Sequence, residues 1–157
     1  AAYESSDRHR RRVAARLIHN LRNRTTAEAM LRRLAGPDQT RSMAAASVLG
    51  NRKEKWTVQP LLKCLRGTDP KAAGAAVVAL ARFRSPELEK AILAQYPDVD
   101  PYVQSTCLGV MPHYGGETTR AWLKDLSENA TDLTTRRKAT RGLKTMDDRN
   151  SPKRSQL

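Results

Sequence analysis

The side chains best placed to do chemistry in this chain are cations. Arg8, Arg10, Arg11, Arg12 and Arg16 crowd its first stretch, and Arg136, Arg137, Lys138, Arg141 and Lys144 crowd its last. Clusters of a single sign attract an anionic partner, whether nucleic acid, an acidic protein face or anionic lipid. A polar outer face that keeps terminal helices soluble is the competing account, and it requires charge without requiring one sign. The other reactive types are sparse. His9, His19 and His113 are scattered, and Cys64 and Cys107 are too few for a disulfide scaffold or a self-contained zinc site. No Gly-rich phosphate loop, Gly-x-Ser-x-Gly elbow or His-Glu-x-x-His pattern occurs. The residues therefore assign no catalytic group, no metal ligand and no cofactor.

Length and composition say what can hold those cations. The chain has 157 residues, about one domain's worth, and its 39% hydrophobic content suffices for a modest core. Against 29 Lys and Arg stand 16 Asp and Glu, a net charge of +13. No apolar run approaches the ~18 residues of a membrane-crossing helix, so no membrane insertion is expected. The charge is uneven. Residues 1–55 carry 13 basic and 5 acidic residues, 56–131 carry 8 of each, and 132–157 carry 8 and 3. Ala1-Ala2-Tyr3-Glu4 starts without Met, so an upstream segment is expected to have been removed, and two core thiols lean toward a cytoplasmic setting.

An internal repeat organises the rest. Asp7, Asp38, Asp69, Asp100 and Asp132 fall 31, 31, 31 and 32 residues apart. Seven positions after each stands a small residue: Ala14, Ala45, Ala76, Cys107 and Ala139. Eleven positions after stands a larger apolar one: Ile18, Leu49, Leu80, Met111 and Leu143. Further on come Met30, Leu61 and Ile92, then Trp122 shifted by one, followed by Leu34, Leu65, Tyr96 and Leu126. Each unit reads as two helices. The Asp is an N-cap, and Asp69-Pro70 and Asp100-Pro101 add the proline favoured at the first helical position. Gly50-Asn51, Ser85-Pro86, and Pro112 with Gly115-Gly116 mark the ends of first helices. Gly36-Pro37, Gly67 and Pro97 mark the ends of second ones. Helices this short gain their stability by stacking apolar stripes against neighbouring units.

The string Thr68-Asp-Pro-Lys-Ala-Ala-Gly-Ala-Ala-Val-Val-Ala-Leu-Ala-Arg82, then Ser85-Pro-Glu-Leu88, resembles the short HEAT-like repeats of the phycobilisome-lyase type. Arg41–Gly50 and Val58–Leu65 match that repeat's two helices as well. The resemblance implies an all-α fold, a right-handed α-solenoid of about four and a half HEAT-like helix pairs over residues 1–146. A polar tail follows over 147–157. The fifth unit offers a first helix, about Leu133–Met146, and no second, as in a capping helix or a truncated array.

In such a solenoid the second helices line the concave face. The register read above puts Glu28, Gln59, Lys90 and Arg120 in one row there. Arg32, Lys63, Ala94 and Lys124 stand one turn further on. The basic members, Arg32, Lys63, Lys90, Arg120 and Lys124, form a candidate binding strip, although solvent-facing helix positions are commonly Lys or Arg in any protein. Trp122, Tyr96, Phe83 and Tyr114 fall in core columns. Trp56 does not, and it is either an exposed interface anchor or a buried helix-start staple. The partner-binding set is then Arg10, Arg11, Arg12, Arg16, Arg32, Trp56, Lys63, Lys90, Arg120, Lys124, Arg136 and Arg137. So few free aromatics argue against single-strand binding by base stacking. The favoured function is a non-catalytic scaffold or adaptor that holds an acidic protein. The alternative is a nucleic-acid binder gripping duplex DNA or structured RNA through phosphates. Glycosylase-like or bilin-lyase-like catalysis is the minority reading that the resemblance adds.

Overall fold

The computed structural model describes residues 24–151, apart from Ala35 and Pro37. The first helix of the leading repeat, with Arg10, Arg11, Arg12 and Arg16, lies outside the described residues. All regular structure among the described residues is helical, and the chain divides into two compact units between Phe83 and Arg84.

The first unit holds α1 (Arg24–Leu34), α2 (Gln39–Arg52), α3 (Val58–Leu65) and α4 (Pro70–Ala81). α2 packs on α4, α1 packs on α2, and α3 packs on α4. Asp38 and Asp69 cap α2 and α4 as their spacing predicts. Arg41 N–H donates to Asp38 Oδ1 at 3.2 Å, and Lys71 N–H donates to Asp69 Oδ1 at 2.9 Å. α4 is apolar around its whole circumference and is buried from Ala72 through Ala81, the behaviour expected of a helix without a polar face. Leu34, Leu49, Leu61 and Leu65 fill the core beside it. The buried Ser42 hydroxyl lies within hydrogen-bonding distance of both Arg33 O (3.3 Å) and Gly36 O (3.2 Å), which serves carbonyls left open at the end of α1.

Gly50-Asn51 does not end α2. A Cβ on Gly50 would stand 2.7 Å from Ala79 O and 2.7 Å from Arg82 Cδ, so this glycine permits contact with α4. Asn51 Oδ1 accepts from Arg82 Nη1 at 2.7 Å across the same seam. The helix runs on to Arg52 and closes at Lys53, which takes a left-handed φ of 51° while its N–H donates to Leu49 O.

The second unit holds α5 (Pro86–Gln95), α6 (Pro101–Tyr114), α7 (Glu117–Asn129) and α8 (Leu133–Asn150). α8 packs on α6 and on α7, and α7 packs on α5. Leu108, Leu123, Ala139 and Met146 form the centre, with Tyr96, Trp122, Leu126 and Leu143 packed around it. Tyr96 and Trp122 meet edge to face at 4.9 Å. Asp100, Asp132 and Ser85 act as N-caps, so each repeat aspartate among the described residues has that role. Pro112 lies inside α6 instead of ending it, and the helix closes at Gly115, whose N–H donates to Met111 O at 2.7 Å. The buried proline ring packs where a Cβ on Gly142 would come within 2.9 Å, so α6 and α8 touch through this pair. α8 also passes the 146 boundary. Asp147 pairs with Arg120, and Arg149 donates to Pro112 O and Gly115 O, which holds the final turn down.

Candidate functional site

The second-helix columns decide where the basic strip lies. Met30, Leu61 and Ile92 are buried, and the next buried member, 31 residues on, is Leu123. Trp122 is half-buried beside it. The period therefore continues without a shift, and the row of Glu28, Gln59 and Lys90 runs on to Ala121 instead of Arg120. The neighbouring row of Arg32, Lys63 and Ala94 runs on to Asp125 instead of Lys124. The bulk of Trp122 misled the pattern. A large apolar side chain signals core by type, whereas helical phase selects the residue after it. Arg120 turns instead toward α8, where its Nη1 pairs with Asp147 Oδ1 at 2.7 Å. Lys90 and Lys124 are exposed on α5 and α7.

Arg32 and Lys63 are brought together in the first unit. Both are exposed on the rim of a groove of about 480 Å3 between α1, α3 and the start of α4. Leu31, Pro60 and Ala72 supply apolar surface within it. Asp69 is the acidic residue of the lining, and one of its oxygens caps α4. Cys64 stands half-buried in the wall, and burial, then the nearby Asp69 charge, pushes its thiol pKa upward. Cys107 is buried in the other unit and pushed up to about 12 by desolvation. Both thiols are thus held in the protonated, poorly nucleophilic form.

Trp56 belongs to a different cluster. It sits in a short 3-10 turn, Lys55–Thr57, that leads into α3. Its indole N–H donates to Glu54 Oε2 at 2.7 Å, while Arg52 Nε donates to Glu54 Oε1 at 2.7 Å. Thr57 Oγ1 donates to Glu54 O. Glu54 thereby fixes the turn from three sides, and the half-buried indole is one of its braces. Arg136 and Arg137 are exposed on α8 beside Lys138, Arg141 and Lys144. Arg136 Nε donates to Ala130 O, tying that side chain back to the start of its own helix.

One polar centre went unread in the sequence. Glu89 of α5 is buried, and its carboxylate accepts from Gly116 N–H at 3.1 Å and from Thr119 N–H at 2.5 Å. Gly116 offers α7 no side-chain cap, so Glu89 supplies one from a neighbouring helix, with its negative charge at the positive end of the helix dipole. A glutamate amid Leu88 and Lys90 reads as solvated surface. The local signal was the missing cap residue before α7.

Among the described residues no group of His, Cys, Asp and Glu is arranged to hold a metal ion, and no helix is long and apolar enough to cross a membrane. A comparison with curated proteins finds no significant match. The family model for HEAT repeats matches residues 58–144, from α3 through most of α8. With paired helices, capping aspartates in register and a match over more than half its length, the chain belongs to the HEAT repeat family.

Proposed function

We propose that the protein is a non-catalytic interaction module that holds an acidic protein partner through basic surfaces on its helical repeats. HEAT repeats as a class point toward protein interaction. The observation that carries the finer reading is the first-unit groove, where exposed Arg32 and Lys63 rim an apolar interior. An acidic amphipathic segment matches both features, since its apolar side chains enter the groove and its carboxylates meet the two cations. Burial of the anchors supplies affinity, while the charges orient and speed encounter. Lys90, Lys124, Arg136 and Arg137 add positive surface in the second unit. Arg10, Arg11, Arg12 and Arg16 would extend it from the N-terminal stretch.

The exposed row on α8 favours a second reading, in which Arg137, Arg141 and Lys144 contact nucleic-acid phosphates. One experiment separates the two. Wild type and Arg32→Glu/Lys63→Glu are compared for retention of protein partners from cell extract and for binding of an arbitrary DNA duplex over a salt series. The acidic-partner reading expects a specific protein retained near ~0.3 M salt and lost from the double variant, because apolar contacts outlast screened charges. Duplex binding that collapses steeply with salt, with no protein lost on charge reversal, would replace it with the nucleic-acid reading.

A further inference from the structure

A second concavity lies within the second unit, between α6 and α8, with a volume of about 260 Å3. Ser105, Gly109 and His113 face it from α6, and Lys138, Arg141 and Thr145 face it from α8. Its lining contains no carboxylate. Of the acidic residues at the end of α8, Asp147 is engaged by Arg120. Lys138 Nζ donates to Ser105 Oγ at 2.9 Å, which bridges the two walls. Two ammonium hydrogens and the Ser105 O–H remain available to donate. The Arg141 guanidinium and the His113 imidazole are exposed beside them.

Gly109 supplies an independent observation. It is exposed in the interior of α6, where glycine is a poor helix former. A Cβ there would meet nothing within 4 Å, whereas Gly50 and Gly142 are each required by a close neighbour. Among the described residues no contact calls for glycine at 109. The bare position leaves that side of the groove open, with room for a ligand to lie against the α6 backbone.

We infer that this groove binds a phosphomonoester carried on a serine or threonine of the partner protein. The identity of the carrier rests on the acidic-partner reading above, whereas the anion site stands on the groove's own residues. A phosphomonoester brings close to two negative charges and three acceptor oxygens, which suits an ammonium, a guanidinium, an imidazole and a hydroxyl converging on one small space. A carboxylate offers one charge and two oxygens to the same donors. A duplex backbone presents a series of phosphates, and a concavity of this size admits one group with a few atoms of its carrier.

The test uses the full chain and three probes: inorganic phosphate, an acidic peptide with one phosphoserine, and the same peptide with plain serine. Amide NMR shifts locate binding, and peptide anisotropy gives affinity. Inorganic phosphate is expected to shift the Gly109 and Lys138 amides. The phosphoserine peptide is expected to bind about tenfold tighter than its serine form, in keeping with charge-assisted hydrogen bonds to one group. Lys138→Ala/Arg141→Ala should abolish that difference. Gly109→Leu should abolish it too, filling the groove without altering charge or a buried contact. Equal affinity of the two peptides, with no phosphate-dependent shift at Gly109, overturns the inference and leaves the acidic-partner reading intact. Phosphate shifts without any binding of either peptide overturn the carrier. A DNA duplex that shifts the same amides at lower concentration than the phosphopeptide assigns the groove to nucleic acid instead.

Discussion

In the first unit, α2 and α4 come so close that Gly50 must lack a side chain, and both helices bury small residues, Ala45 and Ala46 on α2 and Ala76 and Ala79 on α4. In the second, α6 and α8 also approach through Gly142, but larger residues such as Leu108, Leu123 and Met146 fill the centre, and a buried carboxylate, Glu89, closes the start of α7. The same repeat plan thus reaches stability by two means. Small residues let backbones approach and gain dispersion contact along a whole helix. A buried charged cap concentrates the gain in a few hydrogen bonds, and it fails abruptly when one partner is removed.

The largest effect is expected at Glu89. Glu89→Ala leaves the Thr119 N–H buried without its acceptor and removes the cap from Gly116 N–H, and should cost about 3 kcal/mol, read by denaturant unfolding. Glu89→Gln keeps one acceptor oxygen and should lose less. If both variants unfold like wild type, the contrast between the units is wrong. Gly50→Ala comes next, at about 2 kcal/mol, because its Cβ collides with the backbone oxygen of Ala79. Gly142→Ala meets side chains, the Pro112 ring at 2.9 Å and the Leu123 methyls at 3.1 and 3.2 Å, where Gly50→Ala meets backbone at 2.7 Å, and should cost less in the same assay.

Replacing a repeat cap tests what the units share. Asp69→Ala in the first and Asp100→Ala in the second should each cost about 1 kcal/mol, since each removes one side-chain acceptor at a helix start. A large inequality between them would show that the caps are not equivalent. Gly109→Ala runs the other way and should stabilise by up to about 1 kcal/mol, because the added methyl finds open space and alanine favours helix.

The smallest effect at neutral pH comes from the thiols, which also report on the units one at a time. Cys107 is raised from 9.0 to about 12 in the folded chain, so the unfolded chain ionises first. Its contribution to stability is complete below pH 9 and declines as pH rises toward 12. Cys64 is raised in the same direction. Labelling of buried Cys107 at mildly alkaline pH should therefore proceed through opening, and half-buried Cys64 in the groove wall should label faster in the wild type. Glu89→Ala should accelerate labelling at Cys107 more than at Cys64, and Gly50→Ala should do the reverse. Equal acceleration at both would show that the two units open together.

Much of the architecture is legible along the chain because helix caps and apolar columns are local or periodic. Asp38, Asp69, Asp100 and Asp132 each cap the helix that follows, an arrangement a regular spacing of one residue type can reveal. What failed to be legible depended on neighbours distant in sequence. Gly50 and Pro112 are breakers by type, yet each sits inside a helix because of what α4 and α8 present to it. Trp122 attracted the core column by size, although phase gives it to Leu123, and the candidate basic strip moved with that single position. Arg32 and Lys63 occupy equivalent positions of successive second helices, which the period shows, but the groove between them needs α1, α3 and α4 together.

The order of residues alone determined an all-helical repeat, its period, its caps and its excess of positive charge, since all four follow from composition and spacing within a single unit. Tertiary structure decided which cations remain available. Arg120 is neutralised by Asp147, whereas Arg32 and Lys63 rim an apolar hollow and Lys138 and Arg141 line a polar one. The physical reason is that charges interact through space over a few ångströms, and only packing sets those distances.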